Sequence, residues 1–176
     1  MIIESAEAQD IGRIKEIYRS AFPEIGHELV VILACKLLVE ETESEILSLI
    51  AKTNDTIMGH VAFSPVRIEN NQNCKAYILA PLAVDSGYQK QKIGSSLIKQ
   101  GLKILTDDGI HLVFVYCDTE FYGRFGFRKD TASEFNAPYD LEYPFGWQAT
   151  VLKEWTQKNI PAVVTCVGSL SKPDLW

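Results

Sequence analysis

The chain lacks any apolar run that could span a bilayer. The longest, Leu29 to Cys35, falls far short of the ~20 residues a membrane helix needs. It has no CxxC pair and no paired histidines. Its four cysteines, Cys35, Cys74, Cys117 and Cys166, lie far apart, which argues against a zinc site and against a disulfide framework. They are expected to be reduced thiols, mostly buried, and no metal is expected. Clusters of basic residues are also missing: 17 Lys and Arg stand against 23 Asp and Glu, for a net charge of −6. Binding to a phosphate backbone runs on such clusters, so a nucleic-acid partner is not expected, while a cationic small molecule suits the acidic balance. The opening MIIESAEAQD has acidic residues and no basic n-region, unlike a secretory signal. The expected location is cytoplasmic, with no membrane partner. Internal repeats and low-complexity segments are absent.

What is present suits one domain covering residues 1–176. A 47% hydrophobic chain of this length buries roughly 70% of its unfolded surface. After a short strand at Met1 to Ser5, Ala8 to Ala21 places Ile11, Ile14, Ile17 and Tyr18 on one helical face, with a stop at Pro23. A second helix is predicted from His27 to Val39. Ile46 to Lys52, Thr56 to Val66 and Cys74 to Val84 read as a three-stranded antiparallel meander, with turns at Asn54–Asp55 and Asn70–Asn73. Pro81 removes a ladder donor from the third strand, predicting a bulge or a lost pairing. A helix from Ile93 to Asp107 ends at Asp108–Gly109, and His111 to Cys117 returns as a parallel strand, making a right-handed βαβ unit. Thr119 to Arg124 gives one or two helical turns, and Phe127 opens the next strand. Beyond Arg128 the pattern weakens into a loop rich in turn residues and aromatics, with strands expected at Gln148 to Lys153 and Ala162 to Val167. Trp147, Trp155 and Trp176 read as packing anchors.

The densest signal runs from Tyr77 to Ser96, YILAPLAVDSGYQKQKIGSS, where an apolar strand enters a polar loop and then a helix. The first turn of a helix leaves N–H groups without intrahelical partners and carries partial positive charge, so phosphate oxygens are favoured at that junction. Gly94 allows close approach.

LAVDSGYQKQKIGSSLI resembles the pyrophosphate-binding segment of the GNAT family of N-acetyltransferases, whose pattern is Arg or Gln, x, x, Gly, x, Gly or Ala. Gln89 and Gly94 fit it, and Lys92 stands in the first glycine slot. Lys92 is expected to take ordinary helical dihedrals, so that only its amide matters. GHVAFSPV, PLAV and FYGRFGF follow in order from Gly59 to Phe127, as in the YhbS-like branch.

The resemblance implies an α/β (α+β) three-layer fold: a mixed, mostly antiparallel twisted sheet with helices on both faces and central strands splayed at a coenzyme A site. Acetyl-CoA is the implied co-substrate, lying against Leu82, Ala83, Val84, Gln89, Lys90, Gln91, Lys92, Ile93, Gly94 and Ser95. The implied reaction is transfer of acetyl to a primary amine of a small molecule or peptide by direct attack, with Tyr122, five residues before Phe127, as general acid. Packing beside Phe121 and Phe125 is the structural alternative for that tyrosine. The first two helices, with His27 and Glu28, would wall the acceptor site. A base is not evident: Asp118, Glu120, Glu24, Glu28 and water are the candidates. Cys117 fits better as a strand-end core residue than as a nucleophile. An idle acyl-CoA-binding or sensing module is the alternative to an enzyme, a homodimer is left open, and a toxin acetylating charged tRNA is disfavoured by the acidity.

Overall fold

The computed structural model describes residues 1–22, 27–69, 71, 73–154 and 161–176, and the backbone alone of His27. Pro23, Glu24, Asn70, Gln72, Trp155 and the side chain of His27, all named above, lie outside the described residues. The strands are β1 (Ile2–Ser5), β2 (Leu47–Thr53), β3 (Thr56–Ile68), β4 (Ala76–Val84), β5 (Leu112–Tyr116), β6 (Phe135–Asn136), β7 (Trp147–Val151) and β8 (Ala162–Cys166). The helices are α1 (Ile11–Ala21), α2 (His27–Val39), α3 (Ile93–Asp107), α4 (Thr119–Gly123) and α5 (Lys129–Ala132). The hydrogen-bonded strand order is β1-β2-β3-β4-β5-β7, with β8 pairing β3 and β6. This is the open, mostly antiparallel mixed sheet that the sequence implied. None of the described helices is long and apolar enough to cross a membrane.

Two compact units divide the chain, and β3, β4 and α3 each contribute to both. The first comprises Met1–Phe63 and Ala80–Gly101. Its β2–β3 hairpin turns on Asn54 and Asp55, both at positive φ (47° and 63°), which matches the right-handed strand twist. Ile14, Ile17 and Tyr18 of α1 are fully buried with Val31 and Ala34 of α2, Ile50 of β2 and Ala83 of β4, as the period of α1 requires. α3 lies close on β3: a Cβ on Gly101 would come within 2.2 Å of the Phe63 ring, so only glycine allows that approach.

The second unit comprises Ser64–Leu79 and Leu102–Trp176. α3 ends there as predicted: Gly109 has φ +74°, its N–H donates to Thr106 O, and the Ile110 N–H donates to Leu105 O. These two bonds satisfy carbonyls that the helix end would otherwise orphan. β4 and β5 pair in parallel over Ala76 to Ile78, short of Pro81, and β5 pairs antiparallel with β7 over its whole length. Phe114 of β5 stacks on Trp147 at 5.0 Å and meets Phe135 edge-on at 5.2 Å. The Trp147 indole N–H donates to Phe135 O at 2.9 Å, so this buried Trp is the packing anchor expected of it.

Two expectations fail, one in this unit and one across the chain. Phe127 opens no strand: it is buried against Tyr122, Arg128 makes a single bridge to Ala149, and α5 follows at once. Gly126, at φ +89°, turns the chain just before it, so the apolar segment is too short to extend. The cysteines are free but not mostly buried: only Cys74 is buried, Cys35 and Cys166 are half-buried, and Cys117 is exposed. Cys117 sits one residue past β5, where the continuous burial of Leu112 to Val115 has ended, so it is not a core residue.

Candidate functional site

The first unit brings together Leu82, Ala83, Val84, Gln89, Lys90, Gln91, Lys92, Ile93, Gly94 and Ser95, at the end of β4, in the loop and in the first turn of α3. Ala83 and Ile93 are buried, so they present backbone alone, while Gln89 to Lys92 are exposed. The first i→i−4 bond of α3 runs from the Ser96 N–H to Lys92 O at 2.9 Å. The amides of Lys92, Ile93, Gly94 and Ser95 therefore have no partner within the helix and form a set of donors at its positive end. A Cβ at Gly94 would stand 3.5 Å from Val84 Cγ2 and 3.8 Å from Leu82 Cδ2. A methyl group there would make ordinary contacts with both side chains, so the first turn of α3 lies against the end of β4, with its free amides beside it.

Lys92 departs from expectation. Its φ is +64° and that of Lys90 is +62°, both left-handed. The chain reverses between the extended Gln89 and α3 within three residues, and it does so by visiting the left-handed region twice, where a side chain costs about 1–2 kcal/mol at each position. The glycine slot of the resemblance is therefore a true left-handed position, filled here by lysine.

The loop is tied down before the strained residues begin. The Asp85 N–H donates to Met58 O (2.9 Å), its carboxylate accepts from the Gly87 N–H (2.9 Å), and its carbonyl accepts from the Tyr88 N–H (2.8 Å). The Ser86 N–H donates to Ser20 Oγ (2.8 Å), and Gln89 Nε2 donates to Val84 O (3.2 Å). Arg13 of α1 reaches Asp85 Oδ2 at 2.6 Å and donates from Nε to Ile57 O at 3.0 Å. Burial works against ionised Asp85, but the Gly87 N–H and the Arg13 guanidinium outweigh it and hold the carboxyl below its usual value.

Sequence reasoning missed Arg13 and Ser20, because no spacing rule links residues 72 and 66 positions apart. The Asp85-Ser86-Gly87 run was the available signal for a side-chain-closed turn.

Tyr122 lies in the second unit, on α4, and is buried beside Phe121 (5.0 Å) and Phe127 (5.8 Å). Burial, with Cys117 and Asp118 adding to it, pushes its hydroxyl well above the ordinary tyrosine value. The phenol therefore stays protonated, as a hydrogen-bond donor. Among the base candidates, Asp118 caps α4 by accepting from the Glu120 and Phe121 N–H groups, and Glu28 pairs with Arg19 at 3.2 Å. Glu120 is exposed. Among the described residues, no group of three or more His, Cys, Asp or Glu side chains is placed to hold a metal.

The acetyltransferase (GNAT) family matches the chain over residues 11–127. The uncharacterized N-acetyltransferase YjhQ of Escherichia coli K12 is 31% identical over 137 residues, 77% of this chain and 74% of that protein. The uncharacterized N-acetyltransferase YhbS of the same strain is 36% identical over 109 residues, 60% of this chain and 61% of YhbS. The crystal structure of E. coli YhbS in complex with CoA superposes with a TM-score of 0.83 over 97% of this chain and 92% of that one, at 23% identity, and so speaks to the fold. A GNAT acetyltransferase from Brucella melitensis in complex with acetyl-CoA gives a TM-score of 0.63 at 27% identity, covering 90% of this chain and 93% of that one.

Proposed function

The chain belongs to the GNAT family of N-acetyltransferases, and from that premise we propose that it transfers acetyl from acetyl-CoA to a primary amine of a small molecule or peptide. The observation that carries the reading is the junction of β4, loop and α3: four helix-end amides, with Gly94 among them, beside the end of β4, with no metal required. The relatives crystallised with CoA and acetyl-CoA support the same ligand for this site.

In this reading the amides of Lys92 to Ser95 hold the pyrophosphate, Gln89 and Lys90 border it, and the end of β4 at Leu82 to Val84 receives the pantetheine arm. Bound acetyl-CoA supplies an activated acetyl group. The amine nitrogen attacks the thioester carbonyl carbon, the C–S bond breaks with the Tyr122 hydroxyl hydrogen-bonded to the developing thiolate, and the thiolate takes its proton from water. Full transfer from an ordinary tyrosine to a thiolate is uphill by ~2 kcal/mol, and the raised value of Tyr122 makes it more so. Tyr122 therefore acts chiefly by hydrogen-bonding the developing charge. Asp118 is engaged in its cap and Glu28 pairs with Arg19, which leaves Glu120 and water, among the candidates within the described residues, to take the amine proton. The acidic chain favours a cationic acceptor.

The test is release of free thiol from acetyl-CoA against a panel of polyamines, amino acids, aminoglycosides and peptides. Acceptor-dependent release supports the reading. Binding of CoA with no release on any amine would point to an idle binding module.

A further inference from the structure

The loop holds two lysines in left-handed backbone, and such residues persist only where their surroundings over-determine them. The over-determination lies immediately upstream and comes from α1 and β3. The register of β2 against β3 shifts between Ala51 and Lys52, which pair with Gly59 and Ile57 and leave Met58 as an extra residue. The two carbonyls at this irregularity serve the loop: Met58 O accepts the Asp85 N–H, and Ile57 O accepts Arg13 Nε. The same guanidinium grips Asp85 Oδ2 through Nη2 and Glu16 Oε2 through Nη1 at 3.0 Å. Arg13 thus bridges helix, bulged strand and loop with three directed hydrogen bonds, a planar fork that lysine cannot copy. Ser20, two turns further along α1, makes the second tie by accepting the Ser86 N–H and donating to Ser86 Oγ at 2.7 Å.

Asp85 needs this partner for another reason. Its carboxylate opens a loop whose far end presents amides to an anion, and an unneutralised negative charge there would oppose phosphate. We propose that Arg13 is a positioning residue for the cofactor site: by clamping Asp85 to α1 and to the bulge of β3, it keeps the Lys90–Lys92 turn wound, so that the helix-end amides of α3 stay aimed at the pyrophosphate. The proposal rests on the acetyl-CoA reading above. In this proposal Arg13 acts through Asp85 and not on the cofactor or the reacting atoms.

The experiment compares the parent with Arg13→Gln, Arg13→Lys, Asp85→Asn and the Arg13→Gln/Asp85→Asn double variant. CoA affinity is measured by calorimetry, steady-state kinetics with acetyl-CoA, and loop amide exchange by mass spectrometry without ligand. Lys103→Gln, which breaks an exposed pair with Asp107 on α3, is the control. Arg13→Gln should weaken CoA and raise the acetyl-CoA KM by ~10-fold, with kcat changed less than about threefold, because misplaced binding groups cost affinity before chemistry. Exchange over 86–92 should quicken, Arg13→Lys should recover part of the affinity, and the double variant should bind no worse than Arg13→Gln. Lys103→Gln should bind as the parent does.

Parent-like affinity or parent-like loop exchange in Arg13→Gln overturns the clamp while leaving the cofactor reading intact. Additive losses in the double variant also overturn it, because Arg13 and Asp85 would then act independently. A parent that binds no CoA overturns the cofactor reading and the proposal with it, and the two failures are thereby told apart.

Discussion

In the first unit, elements distant in sequence are fastened by directional polar links: Arg13 to Asp85, Ser20 to Ser86, and Tyr18 through His60 to Ser48. In the second, the corresponding fastenings are aromatic faces and edges: Phe114 with Trp147 and Phe135, Tyr116 with Trp176, and Tyr122 with Phe127. The two kinds of contact do different work. Ring packing removes much apolar area from water over a broad range of centroid distances, whereas a hydrogen bond to a charged group is short, strong and directional. The unit that carries the helix-end amides is the one whose loop is held by charge-assisted bonds. Substitutions in the aromatic cluster of the second unit should therefore cost mainly stability, and those at the Arg13–Asp85 and Ser20–Ser86 ties mainly ligand geometry.

The largest effect expected is at Trp147, which is 6% exposed and stacked on Phe114. Trp147→Ala should cost about 3–5 kcal/mol, read from urea midpoints; a loss under about 1 kcal/mol would mean the aromatic cluster is not what fastens its unit. Tyr122 is the exception that sharpens the contrast, being an aromatic whose hydroxyl is assigned chemistry. Tyr122→Phe keeps the ring and should lower kcat on the order of 10- to 1000-fold, with little change in acetyl-CoA KM and a parent-like melt. Normal turnover on any acceptor would remove the donor role, and a lowered melt would transfer the explanation to packing.

The buried His60 tests the polar side of the contrast through pH. Its Nδ1 lies 2.9 Å from the Tyr18 hydroxyl and its Nε2 lies 2.8 Å from Ser48 Oγ, and full burial lowers its pKa from 6.5 to about 3. The folded chain keeps the imidazole neutral while the unfolded chain protonates it below 6.5. Its stabilising contribution is thus complete above pH 6.5 and is lost as pH falls from there toward 3. The slope is at most about 1.4 kcal/mol per unit. Between pH 6.5 and about 5, before carboxylates titrate, the parent should lose stability and His60→Gln should show a flatter profile. Identical profiles would mean that His60 takes up a proton when folded. Tyr18→Phe leaves one ring nitrogen without its partner and should cost about 1–3 kcal/mol.

The smallest effect is at Lys92. Relief of its left-handed backbone by Lys92→Gly, less the greater freedom of glycine when unfolded, should stabilise the chain by about 0.5–1 kcal/mol. CoA affinity should be equal or weaker, with any loss shrinking as salt rises. A glycine variant that melts lower than the parent would show that the lysine side chain stabilises the turn.

The same contrast sets what could be read in the sequence. Periodicity revealed α1 and α3, apolar runs bounded by turn residues revealed α2 and the strands β2, β3 and β4, and the Asn54–Asp55 and Asp108–Gly109 turns were legible because Asn54, Asp55 and Gly109 sit at positive φ. The loop between β4 and α3 was legible in position but not in backbone: the ordinary dihedrals expected of Lys92 gave way to the geometry of the chain reversal. Arg13–Asp85 and Tyr18–His60–Ser48 were illegible, since the partners meet only when α1 packs on the strands. In the second unit, Phe127 and Cys117 were misread because short apolar segments near turns give no period, and burial there is decided by rings contributed from residues 114 to 176.

The central claim, that the β4–loop–α3 junction is a coenzyme A site, is tested most directly by calorimetric titration of CoA into the parent and into Gly94→Val. A Cβ at 94 meets Leu82 and Val84 only at ordinary contact distance, so a side chain can be added there, and the melting temperature checks that the variant folds as the parent does. The account predicts saturable one-site binding by the parent, unchanged by EDTA, and binding weaker by ~10-fold or more in Gly94→Val at an unchanged melting temperature. No heat at millimolar CoA, or equal affinity in the two proteins, would contradict it.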